Sequence, residues 1–182
     1  MKKACVFLAD GFEEMEAVGT IDILKRAEIE TLTISISNFL EVKGAHGINL
    51  ICDFKFDEVD FSSFDIIIFP GGMEGVNRMK DFTPIRDLIN EFHNGGKYIA
   101  AICAAPIILY EAGILNGNNF TCYEGIQKFI KNGIYSKQKV VQDKNIITSD
   151  CVGSVFDFGF RLVSILKGYD EYIGVRNKMI LL

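Results

Sequence analysis

Asp65-Ile66-Ile67-Ile68-Phe69 is an almost unbroken apolar run, closed abruptly by Pro70-Gly71-Gly72, and it narrows the possible folds more than any other segment. A strand with one wet face alternates polar and apolar residues; four consecutive apolar positions need cover on both faces, as in an interior parallel strand. Parallel strands require long crossovers, normally helices, and the chain supplies them. Residues 3–9 read as a first buried strand. The stretch from Glu13 to Ala27 carries apolar residues at 17, 18, 21 and 24, a helical spacing. Thr31 to Ser37 alternates β-branched residues and reads as a second strand. A helix is expected across Pro84 to Phe92, then Gly95-Gly96, then a strand from Lys97 to Ile102 and a helix from about Ala105 to Ala112 that stops at Gly113. Further strands are expected at Asn119–Cys122 and Asn145–Ser149, with a helix at Gly125–Asn132 and a small hairpin near Tyr135–Val141 between them. A last helix spans Phe156–Leu166. The alternation predicts an α/β fold, an open, doubly wound and mostly parallel sheet with helices on both faces, whose binding chemistry lies at the carboxyl ends of the strands.

At 182 residues, 49% of them hydrophobic, the chain is expected to form a single domain over 1–182. A net charge of −5 without a basic stripe argues against nucleic acid or an anionic membrane as partner. The apolar stretch from Ala4 to Ala9 is too short for a signal-peptide core or a membrane span, so a cytoplasmic location is expected. Five cysteines, at 5, 52, 103, 122 and 151, form no C-x-x-C pair, which suggests neither a metal site nor a closed disulfide framework. No cofactor is expected.

The chemistry concentrates at Ala100-Ala101-Ile102-Cys103-Ala104-Ala105-Pro106, where an apolar strand stops and a helix begins. A nucleophile on such a sharp turn tolerates only small residues two positions either side, and Ala101 and Ala105 comply. The amides opening the next helix are expected to favour the thiolate and lower the thiol pKa. The plainer role for a cysteine is core packing. Asp10-Gly11, Gly71-Gly72, Tyr123 and the Asp150–Ser154 loop should reach the same edge of the sheet. The acidic cluster Glu13-Glu14-Met15-Glu16 lies there too: Glu16 shares a helix face with Thr20 and Ile23, and Glu13 shares one with Ala17 and Thr20, so either could face the thiol. A solvated first turn complementing the helix dipole is the alternative.

Four motifs in order, Leu8-Ala9-Asp10-Gly11-Phe12-Glu13-Glu14-Met15-Glu16, Phe69-Pro70-Gly71-Gly72, the Cys103 elbow, and Ile147-Thr148-Ser149 before Phe156-Asp157-Phe158, resemble the ThiJ/PfpI superfamily. They are most similar to its Parkinson-disease-protein (DJ-one) branch of deglycases and glyoxalase III-type enzymes. The resemblance implies a flavodoxin-like sandwich, a homodimer, Cys103 as the reactive thiol, Glu16 as the carboxyl group touching its sulfur, and the amides of Gly72 and Ala104 as an oxyanion site. It further implies a small aldehyde or glycated substrate and a place in stress defence. The alternative is a non-enzymatic redox sensor or chaperone working through oxidation of Cys103. In the protease branch a His follows the cysteine, but here Ala104 does, so peptidase activity is not carried over. Many deglycase-branch members place a His where this chain has Tyr123. Of the two histidines, His93 falls on the wrong edge of the sheet and His46 reads as a solvated loop residue, the alternative being an approach to a pocket or dimer seam. Cys5 reads as core and Cys52 as a strand or dimer-interface thiol; Cys122 and Cys151 are candidate resolving thiols. Arg26 matches a position that reaches across the dimer in relatives, or is a plain surface residue.

Overall fold

The structure is a computed structural model and describes residues 1–179. In chain order the elements are β1 (Lys3–Leu8), α1 (Glu14–Arg26), β2 (Glu30–Ser35), β3 (Glu41–Lys43), β4 (Asn49–Ile51), β5 (Phe54–Lys55), β6 (Ile66–Phe69), α2 (Met73–Asp81), α3 (Thr83–Asn94), β7 (Tyr98–Ile102), α4 (Pro106–Glu111), β8 (Asn119–Phe120), β9 (Ile134–Tyr135), β10 (Val140–Asp143), β11 (Ile146–Ser149), α5 (Val155–Lys167) and α6 (Tyr169–Lys178). Seven strands form one sheet in the order β10-β11-β7-β6-β1-β2-β5. Every pairing in it is parallel except β10 with β11. This is the mostly parallel α/β sandwich that the apolar runs predict.

Strand side chains alternate between two cores. Cys5, Phe7, Ile67, Phe69, Ile99 and Ala101 enter one, shared with α2, α3 and α4. Ala4, Val6, Leu8, Ile66, Ile68 and Ile102 enter the other, beneath α1, α5 and α6. Cys5 is therefore core, as expected, while Cys103 touches both cores at the lip of the sheet.

Several expectations need correction. Helix α1 buries Glu14, Glu16, Ala17, Thr20, Ile23 and Leu24, whereas Val18 is exposed. The inward face is thus rotated from the 17/18/21/24 stripe, because it includes carboxyl groups that an apolar count ignores. Residues 125–132 hold only a 3₁₀ turn at Ile126–Lys128 in place of a helix. The expected hairpin near Tyr135–Val141 is displaced: Tyr135 pairs in parallel with Phe120, and the hairpin joins β10 to β11. The strand expected at Asn119–Cys122 ends at Phe120. Helices α2 and α6 and the β3–β4 hairpin were not expected. Among the described residues, no helix is long and apolar enough to cross a membrane.

Candidate active site at the Cys103 elbow

The strand order reverses between β1 and β6: the chain leaves β1 for β2 on one side and returns to β6 on the other. In open parallel sheets this switch point opens a crevice at the carboxyl ends of the strands. Gly71 lies at that point and is bonded twice to α1. Its carbonyl accepts from Glu13 N at 3.0 Å, and its N–H donates to Glu16 Oε2 at 2.7 Å. Glu13 also caps α1, its Oε2 accepting from Glu16 N at 2.7 Å. The two candidates in the acidic turn therefore have distinct roles: Glu13 holds the helix start, and Glu16, 1% exposed, turns toward the sulfur.

Cys103 follows β7 with φ of +65°. For a residue with a Cβ this left-handed conformation is costly, about 1–2 kcal/mol, and surrounding bonds hold it in place. Its N–H donates to Ser149 O at 2.9 Å, and its carbonyl accepts from Tyr123 N at 2.8 Å. Ala101 and Ala105 are both fully buried, which explains the need for small neighbours. A side chain at Gly71 would place its Cβ 2.5 Å from Glu16 Oε2 and 2.7 Å from Cys103 Cβ. Only glycine leaves the carboxyl and the thiol room to meet. Gly72, at φ of +86°, is equally constrained, since a Cβ there would lie 2.6 Å from Glu13 N.

Burial is the main cause that pushes the Glu16 carboxyl up to about 7, against the lowering effect of the Gly71 and Cys103 hydrogen bonds. Glu16 Oε1 is buried without a hydrogen-bond partner among the described residues. This suits a carboxyl that carries a proton near neutral pH. The Cys103 thiol does not behave as the helix-start argument expects. Burial first, then the charge of Glu16, raises it well above the ordinary thiol range. The amides of Ala104 and Gly72 do point to the sulfur and oppose that rise, but six-residue α4 is too short to dominate. The thiol and the carboxyl thus titrate as a coupled pair in which the carboxyl loses its proton first.

The structure brings together Cys103, Glu16, Gly72 and Ala104. Tyr123 joins them through its backbone; its side chain is 52% exposed and lines a neighbouring cavity. His46 is exposed but not merely solvated: its Nδ1 lies 2.8 Å from Glu14 Oε2, and its N–H donates to Glu14 Oε1 at 2.6 Å. Burial disfavours a charge on Glu14, yet these hydrogen bonds outweigh it and hold the carboxyl down at about 2. Glu14 thereby latches the Gly44–Ile48 turn to the start of α1. Glu13, Glu14 and His46 are close enough to contribute to one cation site, although Glu14 is already committed to this latch. His93 ends α3 at the opposite edge, as expected. Arg26 pairs with Asp22 at 2.6 Å on the surface. All five cysteines are free thiols. Sequence reasoning missed the latch and the double role of Gly71, whose signal is the glycine pair directly after an interior strand.

The DJ-1/PfpI family profile matches residues 2–165. The chain belongs to that family. It is 34% identical to Protein dj-1beta of Drosophila melanogaster over 172 residues, 93% of this chain and 92% of that one. It is 32% identical to a Caenorhabditis elegans protein named glutathione-independent glyoxalase DJR-1.2, covering 93% of this chain and 91% of the relative. The crystal structure of Drosophila DJ-1beta superposes with a TM-score of 0.95 at 32% identity, covering 100% of this chain and 98% of the other. The parallel sheet and its two helical layers are therefore the DJ-1 architecture.

Proposed function

We propose that this DJ-1/PfpI family protein acts on small reactive carbonyl compounds, converting a 2-oxoaldehyde such as methylglyoxal to the hydroxy acid without an added cofactor. The observation that carries the reading is the buried Glu16 carboxyl, pushed up to about 7 and meeting, across Gly71, the side chain of a positive-φ cysteine. A group titrating near neutrality both donates and accepts protons efficiently. Cys103 adds as thiolate to the aldehyde carbon, its proton having passed to Glu16. The new alkoxide forms beside the amides of Gly72 and Ala104, which supply preorganised positive dipoles, and takes the Glu16 proton. The carboxylate then removes the hydrogen from the former aldehyde carbon as a proton, the electron pair passing to the adjacent carbonyl to give an enediolate, and returns the proton to the adjacent carbon, while the hydroxyl proton on the former aldehyde oxygen passes to the neighbouring oxygen. This converts the hemithioacetal to a thioester, and water hydrolyses it to lactate and free thiol. No net oxidation occurs, so no redox partner is needed. The C. elegans relative named as a glyoxalase supports the substrate class.

The test is lactate formation from methylglyoxal with free thiols excluded. Cys103→Ser should abolish it, and Glu16→Ala should lower it by about 10²–10⁴, the usual contribution of a proton-transfer group. Full activity in either variant overturns the assigned role.

A second reading rests on the same partly exposed thiol: a redox sensor or chaperone in which Cys103 is oxidised to a sulfinic acid that accepts a hydrogen bond from protonated Glu16. Mild peroxide should then add two oxygens selectively at Cys103 by mass spectrometry; equal oxidation of all five thiols contradicts it. For either activity we infer a homodimer acting in cytosolic stress defence. Met15 and Val18 on α1, with Ile48 and Ile51 on the adjoining β3–β4 hairpin, are exposed apolar side chains available for self-association. A monomeric mass in solution at micromolar concentration contradicts the dimer.

A further inference from the structure

Beside the elbow lies a cavity of about 420 Å³, lined by Thr121, Cys122, Tyr123, Glu124, Gln127, Tyr135, Lys137, Asp150 and Cys151. Its walls are the two segments that bond the backbone of Cys103: Tyr123 donates to the Cys103 carbonyl, and Asp150 follows Ser149, whose carbonyl accepts from Cys103 N. The cavity thus adjoins the backbone of the elbow that carries the thiol.

The cavity is electrically one-sided. Asp150 and Glu124 contribute two carboxylates against one ammonium group, that of exposed Lys137, whose flexible stem lets its charge extend into water. Lys139, which feels the Asp150 charge, is already bonded to Asp157 Oδ2 at 3.0 Å. Asp150 Oδ1 is buried without a hydrogen-bond partner among the described residues, and so is Oγ1 of the fully buried Thr121. Two polar atoms at the wall thus lack protein partners, and an unpaired buried acceptor is costly until a donor arrives. Tyr135 registers the same field: after burial, Cys122, Glu124 and Asp150 are what raise its phenol.

We propose that this cavity selects the substrate, admitting carbonyl compounds that bear an ammonium group in preference to anionic ones such as carboxylated or phosphorylated aldehydes. The inference rests on the reading of Cys103 as the reactive thiol, with Asp150 and Glu124 as specificity residues that leave the Cys103–Glu16 chemistry untouched. Neutral methylglyoxal is indifferent to them.

The experiment needs no turnover. Cys103 is labelled with a pair of thiosulfonate reagents, one carrying ethylammonium and the other ethylsulfonate, each rate being divided by that with a free thiol, and the rates are read by mass spectrometry at Cys103. Their ratio cancels the thiolate fraction. The cationic reagent should react faster, and Asp150→Asn or Glu124→Gln should each reduce the ratio about fivefold, the effect of a single partly screened charge. Asp150→Lys should reverse the preference. A ratio unchanged by both neutralising variants overturns the cavity's role even if the protein makes lactate. Charge-dependent labelling without lactate formation overturns the carbonyl reading and leaves the cavity assignment intact.

Discussion

Glu16→Gln offers a direct test of the buried carboxyl. The variant keeps the shape of the side chain and an oxygen to accept from Gly71, but holds no titratable proton. In the native protein this carboxyl moves from its ordinary 4.5 to about 7 on folding, and at 1.36 kcal/mol per pH unit that is about 3 kcal/mol. The sign follows from proton binding: the folded state holds the proton more tightly than the unfolded chain. The contribution is therefore complete at pH values below 4.5, declines as pH rises through the interval, and is lost above about 7. The glutamine variant lacks this dependence. Urea unfolding of the two proteins between pH 5 and pH 8.5 should show curves that separate with rising pH, the variant becoming more stable by about 3 kcal/mol at the alkaline end. For a chain of this size that is roughly 6–10 °C in Tm. Parallel curves would refute the argument, because they would mean that Glu16 ionises in the fold as freely as in water.

Gly71→Ala should destabilise by about 1–3 kcal/mol through overpacking and slow alkylation of Cys103 by iodoacetamide, since the new methyl occupies the space between carboxyl and sulfur; unaltered alkylation contradicts the close approach. Cys103→Gly should be more stable than Cys103→Ala by about 1 kcal/mol in thermal unfolding, because only glycine adopts the left-handed backbone freely; equal stability contradicts the strain. Glu14→Gln should cost about 2 kcal/mol by weakening charged hydrogen bonds. The native carboxyl, held at about 2, contributes stability above 4.5 that is lost as pH falls toward 2, so the difference between the two proteins should shrink in acid.

The interior strands were legible because Ile66–Phe69 and Tyr98–Ile102 are apolar on both faces, a pattern that admits few arrangements. The short strands β3, β4 and β5 were not, because their mixed burial carries neither period clearly. Nor was α2, whose opening Met73-Glu74-Gly75 continues a glycine-rich turn and resembles a loop. At the site, spacing identified the cysteine elbow but left Glu13 and Glu16 equivalent. Only the long-range bond from Gly71 to Glu16 separates the cap from the partner of the sulfur. The thiol's resting state was misread because helix-start amides are visible in sequence, whereas burial and the charge of a carboxyl from another element are not.

Strand β1, made before the other strands of the sheet, is an interior one, with β2 on one side and β6 on the other. Its second neighbour does not exist until residues 66–69 have been made, and Cys103 comes later still. During translation at about 5–20 residues per second, the amphipathic α1 therefore waits for seconds with its acidic turn in water and Glu16 ionised. Closure of β6 against β1, with β7 following on the far side of β6, then encloses Glu16, whose carboxyl binds a proton more tightly once buried. Assembly of the site is thereby coupled to proton uptake near neutral pH, because the carboxyl holds its proton more tightly in the fold than in the open chain.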